Sequence, residues 1–535
     1  PGPRTMLAAY SLAAQAAPPA PPGTAEVLGY LENWNDVIWW DNGIPQNCVQ
    51  GCFEVEKILN KTAAYSAINY GFVFFSGLPT PDQVGCEDQY NKTTHKLIKL
   101  ANQSCPVWDG KALYMSAAEK DGSHAIDSKT TLDDLTPGLV SIAETVRLMK
   151  MHPAGPKRTK ITLGGWSDFA RLGSIPNAQK AAALAAKMVQ YTFADGIDID
   201  LEHLVDQAKV PKPWHVDEFE AWAMFFNTLR KELDGVSANW VETASKRRAS
   251  LLKQHATMDK WSKGVFAPFM NTTIEYLNEV AANGPPHLEI SWTTRFNAFV
   301  PTEDPYNYVK KWLGTRPKYN SNGKTFPSDN EGVKLWPQIH DVTDTVNIMA
   351  YDAANITFDF KTILDNFVSG GVSKEKINLG FEPGNQLHEA TWEGKGTDLE
   401  MAKYIKEEGY SGVMVWAVNP AEEWTPKSYK ACPETAAMLK KTLEPSDRFK
   451  HLYEAPHTYT KCDPKTGWRP KVAKQLALEQ AAAKASKHGA DKQLNVLPQK
   501  AKGKPTRPAL SRPLGGAAKG AKAPAANVLA PADMP

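Results

Sequence analysis

The stretch DGIDIDLE, at residues 195–202, carries the strongest signal in the chain for both fold and chemistry. In an extended strand alternate side chains share a face, so Asp198, Asp200 and Glu202 point to one side while two isoleucines and a leucine point to the other. The apolar face needs burial. We therefore expect a buried strand whose acids gather at one site.

Short apolar runs like this one repeat along the chain, separated by longer helical patterns, which is typical of a parallel sheet with helical crossovers. Eight such strands, each buried on both faces, favour an α/β fold of the (β/α)8 TIM-barrel type. A doubly wound open sheet is the alternative, although the chain has no glycine-rich phosphate loop that would favour it. The eight runs begin near Val27, Tyr65, Lys160, Gly196, Leu288, Val346, Lys376 and Gly412.

The connections between the predicted strands differ in length. Those after the second and fourth strands each span about 80 residues, far beyond ordinary loop lengths. We expect these long insertions to wall the face of the barrel that carries the acids. The connection after the seventh strand, residues 383–411, is short and leaves no space for a large α+β insertion.

Composition divides the chain into three parts. Residues 1–23 contain a candidate signal peptide and a Pro/Ala-rich linker, residues 24–447 the predicted barrel, and residues 448–535 a basic tail rich in Ala, Lys and Pro. The whole chain is nearly balanced, with 61 basic and 59 acidic residues, so its charge indicates no nucleic-acid partner for the barrel. The tail is expected to be partly helical or disordered, either a solvated extension or a basic arm attracted to acidic polysaccharide, nucleic acid or membrane.

Cysteines and glycosylation signals favour a secreted, extracellular protein, or a vacuolar or lysosomal one. The six cysteines lack the spacing of a zinc site, and either three disulfides of unassigned pairing or free thiols in a reducing compartment fit them. No stretch of the predicted barrel is long and apolar enough for a transmembrane segment, and we expect a monomer. The cysteines are Cys48, Cys52, Cys86, Cys105, Cys432 and Cys462, and the five Asn-x-Ser/Thr signals begin at Asn60, Asn91, Asn102, Asn271 and Asn355.

The acidic face of 195–202 places three carboxyl groups at intervals of about 6 to 7 Å. Burial and mutual repulsion raise the pKa of at least one of them, because crowded carboxylates do not all ionise readily. A carboxyl that stays protonated near neutral pH is what acid-catalysed cleavage of a glycosidic bond requires. A divalent cation site and a solvated edge strand are the alternatives, and the apolar alternate residues argue against the edge strand.

The stretch matches the DGxDxDxE motif of glycoside hydrolase family 18, the chitinases, at every fixed position, and the chain resembles that family from about Val27 to Asn419. Other motifs are similar in the same order along the chain. They are Leu28-Gly29-Tyr30 with Trp34 on the first strand, Leu163-Gly164-Gly165-Trp166 on the third, Met349-Ala350-Tyr351-Asp352 on the sixth and Val415-Trp416 on the eighth.

The resemblance implies a chitinase that needs no cofactor and no metal. It would cut β-1,4 bonds between N-acetylglucosamine units of chitin or chitooligosaccharides by the substrate-assisted retaining route. Glu202 would be the general acid and base, Asp200 would hold the substrate's acetamido group and stabilise an oxazolinium ion, and Asp198 would share a proton with Asp200. Tyr351 would donate its hydroxyl to the acetamido carbonyl.

The resemblance also implies a set of substrate-binding residues. Trp416 would form the apolar floor under the sugar and Trp166 would lie on the leaving-group side of the site. The full set is Tyr30, Trp166, Asp352, Met349, Trp416 and Glu382.

Three positions depart from the family pattern. Thr162 replaces the usual Ser, so a hydrogen bond to Asp198 is expected to persist. Leu201 replaces an aromatic residue on the outward face, where it should affect packing only, and Glu382 lies where an aromatic residue or Met is common. The short connection after the seventh strand implies an open cleft and endo rather than exo cutting.

Three other functions remain open at this stage. The same fold supports chitin-binding lectins, which typically lose the acid at the position of Glu202. It also supports endo-N-acetylglucosaminidases acting on N-glycans. A structural protein of wall or matrix, anchored by the basic tail, is the third.

Overall fold

The computed structural model describes residues 25–31, 40–41, 44–45, 62, 65–75, 89–90, 97–99, 107–114, 124–134, 137–151, 156, 158–165, 168, 171–202, 218–257, 260–299, 331–351, 359–383, 395–418 and 433–443. The chain divides into two units, Pro1–Thr458 and Tyr459–Pro535, and every described residue belongs to the first. The candidate signal peptide, the six cysteines, four of the five glycosylation signals and the basic tail lie outside the described residues. The fifth signal, Asn271, is exposed.

Eight parallel strands form a closed barrel, in the spatial order β1-β14-β13-β12-β11-β10-β9-β4. The prediction of a (β/α)8 barrel is confirmed, and each strand begins within two residues of its predicted start. The barrel strands are β1 (Glu26–Leu31), β4 (Ala67–Val73), β9 (Arg158–Gly164), β10 (Gly196–Asp200), β11 (Glu289–Arg295), β12 (Thr345–Met349), β13 (Ile377–Phe381) and β14 (Gly412–Val415). Short antiparallel pairs are β2 (Trp40–Asp41) with β3 (Ile44–Pro45), β5 (Gln89–Tyr90) with β6 (Leu97–Lys99), and β7 (Ala112–Tyr114) with β8 (His124–Asp127).

Helices surround the barrel, and some begin at side chains that accept backbone N–H bonds. Ser174 caps one helix by accepting from the N–H of Asn177, and Asp359 caps another by accepting from that of Thr362. The described helices are α1 (Pro137–Met151), α2 (Ile175–Thr192), α3 (Glu218–Ala238), α4 (Trp240–Thr257), α5 (Lys260–Asn283), α6 (Glu331–Ile339), α7 (Phe360–Ser369), α8 (Lys395–Glu407) and α9 (Pro433–Leu443). Among these helices, none is long and apolar enough to cross a membrane.

The main apolar core lies between the strands and the helices. Outward-facing strand residues such as Ile197, Ile199 and Trp292 are fully buried there, together with helix residues such as Phe225 and Phe367. The inward positions of the same strands are mostly polar near β10. The strand alternation therefore separates an apolar shell from a polar interior.

The long insertion after β10 contains α3, α4 and α5. The hydroxyl of Tyr276 on α5 donates to the carbonyl of Phe193 at 3.1 Å, and the Phe193 ring contacts Trp240 of α4, with centroids 5.0 Å apart. Phe193 lies just before β10, at the end of the barrel opposite Glu202. These contacts of α4 and α5 therefore lie at the end of the barrel away from Glu202, and the expectation that the insertion walls the site stays a prediction.

Candidate active site

The acid row lies on β10, between β9 and β11. Asp198 is level with Thr162 and Ser291, and Asp200 is level with Gly164 and Thr293. Asp198 and Asp200 are buried inside the barrel, and Glu202 is half-buried two residues beyond Asp200. The row therefore ends at the carboxyl edge of the sheet, where barrel enzymes carry their catalytic groups.

Gly164 allows β9 to approach the acid row closely. Its φ is +104°, and a Cβ at this position would lie 2.2 Å from the carbonyl oxygen of Asp200. Because that space is empty, the N–H of Gly165 donates to the same carbonyl at 2.9 Å. The glycine therefore fixes the backbone of Asp200 in place.

Five donor groups from four other strands surround the carboxylate of Asp198. Oδ2 accepts from the hydroxyls of Tyr30 at 2.7 Å and Thr162 at 3.2 Å, as expected for the threonine. Oδ1 lies near the hydroxyls of Ser291 and Thr293 and 3.2 Å from Nδ2 of Asn347. A carboxylate that only accepts hydrogen bonds fits this surrounding.

Asp200 has a different environment. Burial raises its pKa well above the ordinary value, the negative charges of Glu202 and Asp198 raise it further, and only the charge of Arg295 opposes them. Its Oδ1 is buried and has no hydrogen-bond partner among the described residues. A buried carboxyl that resists ionisation and has an open oxygen fits a group that forms a hydrogen bond with a ligand.

Tyr30 connects the acid row to the apolar side of the barrel interior. Burial and the charges of Asp198 and Asp200 raise the pKa of its hydroxyl well above the ordinary value, so it remains a hydrogen-bond donor. Its ring contacts Trp416, with centroids 5.8 Å apart. The predicted substrate-binding residues Tyr30 and Trp416 are thus adjacent.

An apolar cluster faces the acids across the interior. Tyr351 and Met349 are buried within it. The hydroxyl of Tyr351 donates to the sulfur of Met414 at 3.6 Å. Trp416 is only half-buried against this cluster. Gly380 makes room for the tyrosine, because a Cβ there would lie 2.9 Å from its ring. The cluster presents apolar and aromatic surface to the barrel interior.

The remaining predicted site residues divide into two groups. Glu382 is buried directly after β13, at the same edge of the barrel as the acid row. Trp166 and Asp352 lie outside the described residues, so their roles stay predictions. Leu201 is buried in the apolar shell, where its substitution was expected to affect only packing.

Sequence reasoning missed the residues that surround the acids. Ser291, Thr293 and Arg295 occupy alternate positions on β11, and Asn347 is a single polar residue in an apolar strand. A polar residue on the inward side of a strand buried on both faces was the available signal. Glu331, at the start of α6, gave no such signal, since nothing in its local pattern relates it to β11.

Paired charges fill the interior below the acid row. Lys160 is 2% exposed, and its Nζ lies 3.7 Å from Glu289 and 3.4 Å from the hydroxyl of Thr345. Arg158 forms ion pairs with both Glu26 and Glu289. Two cations therefore balance two anions at this level.

A chain of amides joins the paired charges to the acid row. Nδ2 of Asn378 donates to Glu26 at 3.2 Å and to Oδ1 of Asn347 at 3.0 Å, and Asn347 in turn donates to Asp198. Hydrogen bonds thus connect Asp198 to the paired charges as well as to the donors beside it in the barrel.

The fold and the site define a (β/α)8 barrel with a buried acid row, in which burial and neighbouring negative charges raise the pKa of Asp200. No three His, Cys, Asp or Glu side chains of the described part of the chain are grouped in a way that could hold a metal ion. The acid row in this setting suits proton transfer to a bound molecule.

Several solved chitinases are similar to this chain. One from Bacillus thuringiensis is 14% identical over 78% of this chain and 70% of its own, with a TM-score of 0.42. A GH18 chitinase from Pseudoalteromonas aurantia is 14% identical over 74% and 94%, with a TM-score of 0.35, and a chitinase from Bacteroides thetaiotaomicron is 12% identical over 82% and 99%, with a TM-score of 0.37. No protein-family model and no curated protein matches the chain. At these TM-scores the similarities add nothing to the barrel that the strand pairing already establishes.

Proposed function

We propose that the protein is a retaining chitinase that cuts β-1,4 bonds between N-acetylglucosamine units, with residues 24–447 as the catalytic part. The observation that carries this proposal is the contrast within the acid row. Asp198 is surrounded by five donors, whereas the pKa of the neighbouring Asp200 is raised by burial and by two negative charges. The carboxyl that resists ionisation thus lies next to the half-buried Glu202 in the row.

The proposed first step transfers the proton of Glu202 to the glycosidic oxygen, and the bond from that oxygen to the anomeric carbon breaks. The carbonyl oxygen of the substrate's own 2-acetamido group attacks the anomeric carbon and forms an oxazolinium ion. Asp200 shares its proton with Asp198, so it can accept the acetamido N–H and offset the positive charge. Tyr351 binds the acetamido carbonyl.

In the proposed second step water adds to the anomeric carbon and gives a proton to Glu202, while the bond to the acetamido oxygen opens. The acetamido oxygen and the water attack opposite faces of the anomeric carbon, so the product keeps the β configuration. Trp416 and the apolar cluster around Tyr351 support the sugar ring, and Tyr30, Met349, Asp352, Trp166 and Glu382 complete the proposed subsites. The protein is proposed to act within the chain of the polymer, outside the cell and as a monomer.

Hydrolysis of chitohexaose tests the substrate, the cutting mode and the stereochemistry together. We expect internal fragments of two to four sugars whose new reducing ends are initially β-anomers, observed by proton NMR. Fully deacetylated hexamer is the matched control, because it lacks the carbonyl that attacks, and it should remain uncut. A thiazoline mimic of the cyclised intermediate should inhibit competitively.

Three outcomes would contradict the proposal. Initial α-anomers would exclude the retaining route. Tight binding of chitohexaose without any turnover would instead indicate a lectin. Release of whole glycans from a glycoprotein, with chitohexaose left intact, would indicate an endo-N-acetylglucosaminidase.

A further inference from the structure

Glu331 lies behind the wall of the barrel, at the start of α6. Its side chain is 4% exposed and accepts a hydrogen bond from the hydroxyl of Thr294 on β11. The N–H of Gly332 donates to the carbonyl of Ala298 at 2.9 Å, which fixes the start of the helix against the end of the same strand. The carboxyl group of Glu331 is therefore held between helix and sheet.

The register of the barrel places this carboxyl group beside the acid row. The N–H of Leu201 donates to the carbonyl of Thr293 at 3.1 Å, so the chain that leaves β10 follows β11. Glu202, the next residue, consequently lies beside Thr294 and Arg295. By strand alternation Thr294 faces Glu331 and Arg295 faces the interior.

The charges in this region act on one another. Arg295 stabilises the charged forms of both Asp200 and Glu331, while Glu202 opposes ionisation of both. Asp200 and Glu331 are thus influenced by the same two charges. We propose, on the basis of the proposed function, that Glu331 is a positioning residue whose negative charge keeps the proton on Glu202 during turnover.

The titration of Glu331 falls within the range where such control is useful. Burial raises its pKa to about 7, the Thr294 hydroxyl and both the guanidinium and the backbone N–H of Arg295 counteract burial, and the charge of Glu202 adds to it. Above this pH the charge of Glu331 opposes the loss of the proton from Glu202. The enzyme would then retain its general acid to a higher pH than an isolated glutamate allows.

The other groups around Glu331 leave this interaction in place. Toward α7 its neighbour in sequence, Gly332, packs against the uncharged ring of Phe299. Lys334, one turn along α6, has its ammonium group over the ring of Phe219 on α3, 5.0 Å from the centroid. Glu218 on α3 accepts the N–H groups of Leu172 and Gly173.

The test is the pH dependence of kcat/KM for a chitooligosaccharide with a chromogenic leaving group, which reports groups of the free enzyme. Glu331→Gln keeps the shape and the Thr294 bond but removes the charge. We expect its alkaline limb to move to lower pH by roughly half a unit or more, with kcat/KM at pH 6 within about twofold of the wild type. Glu144→Gln is the control at a buried glutamate that also accepts from a threonine hydroxyl, that of Thr273 at 3.1 Å; because Glu144 also pairs with Arg147 at 2.6 Å, only preparations shown to be folded are compared. Its alkaline limb should not move.

A second variant keeps the test decisive if Glu331→Gln fails to fold. Thr294→Val removes the donor that favours the charged form of Glu331, so it should move the limb in the same direction by a smaller amount. An unchanged limb in a folded Glu331→Gln or Thr294→Val variant of an active enzyme would overturn the role of Glu331 alone. Absence of turnover by the wild-type protein at every pH would overturn the proposed function and this role with it.

Discussion

Two levels of the barrel interior bury charged groups in opposite ways. Near the amino ends of the strands, Lys160 and Arg158 pair with Glu289 and Glu26, so burial is compensated by opposite charge. Near the carboxyl ends, Asp198, Asp200 and Glu202 form a row of three acids. Arg295 is the cation whose charge counteracts the raised pKa of Asp200. The comparison teaches that buried charge alone does not indicate chemistry, whereas buried charge left partly uncompensated does.

The largest expected effect separates the glutamates of the two levels. Glu202→Gln should lower kcat for chitohexaose by about a thousandfold or more, because it removes the proton that the leaving oxygen needs, while thermal unfolding and sugar binding stay near those of the wild type. Glu289→Gln, the matched change at the lower level, should reduce stability and leave kcat within a few fold. Near-normal turnover in the Glu202 variant would reject the proposed catalytic role.

The lower level should respond to loss of a charge by unfolding more easily. Lys160→Met removes a buried partner of Glu289, and we expect a loss of about 3 kcal/mol in the free energy of unfolding, measured by urea denaturation. Lys246→Met is the control, because Lys246 pairs with the exposed Glu242 on α4. That variant should unfold at the same urea concentration as the wild type. Equal midpoints for the two lysine variants would show that the interior pair contributes nothing.

The pH dependence of stability sharpens the comparison at Glu331. Its folded pKa of about 7 lies above the ordinary value of 4.5, so the folded state binds this proton more tightly than the unfolded state between these pH values. The contribution of this pKa difference to the free energy of unfolding is fully present below about pH 4.5. It is lost as pH rises through 7, which lowers the free energy of unfolding by about 3 kcal/mol. Relative to the wild type, Glu331→Gln should therefore gain stability from pH 4.5 to pH 8 in urea titrations. A constant difference over that range would contradict the raised pKa.

The smallest expected effect lies within the acid row itself. Asp198→Asn disturbs five donors and should lower the free energy of unfolding by about 1 to 2 kcal/mol. Asp200→Asn should raise the stability at pH 8, because it replaces a carboxyl that resists ionisation. Both variants are expected to be poor enzymes, so chemical denaturation rather than activity separates them. A loss of stability in both would mean that the two aspartates have equivalent environments.

The sequence predicted the barrel well because its strands are buried on both faces and are separated by helical patterns. The acid row followed from the two-residue period of a single strand. Of the donors around Asp198, Thr162 was predicted, whereas Tyr30, Ser291 and Asn347 were not, because they lie on three separate strands. They meet only through the register of the closed sheet. The same holds for Glu331, which reaches the site from a helix across the barrel wall.

The expected wall of long insertions stays a prediction for a related reason. A helix with one apolar stripe reports that it packs on something, and α5 packs with Tyr276 at the amino end of β10. Direction along the barrel axis is not encoded in that stripe. Trp166 and Asp352 lie outside the described residues, so their roles stay predictions.

The apolar shell outside the strands has a consequence for how this protein tolerates change. Ile197, Ile199 and Trp292 secure the strands against the helices without touching the lumen of the sheet. Lumenal positions such as Thr162 and Asn347 instead form hydrogen bonds with the acid row, so a change there alters the site while the scaffold around it stays anchored. A library that varies the outward-facing residues should therefore yield a low share of folded members.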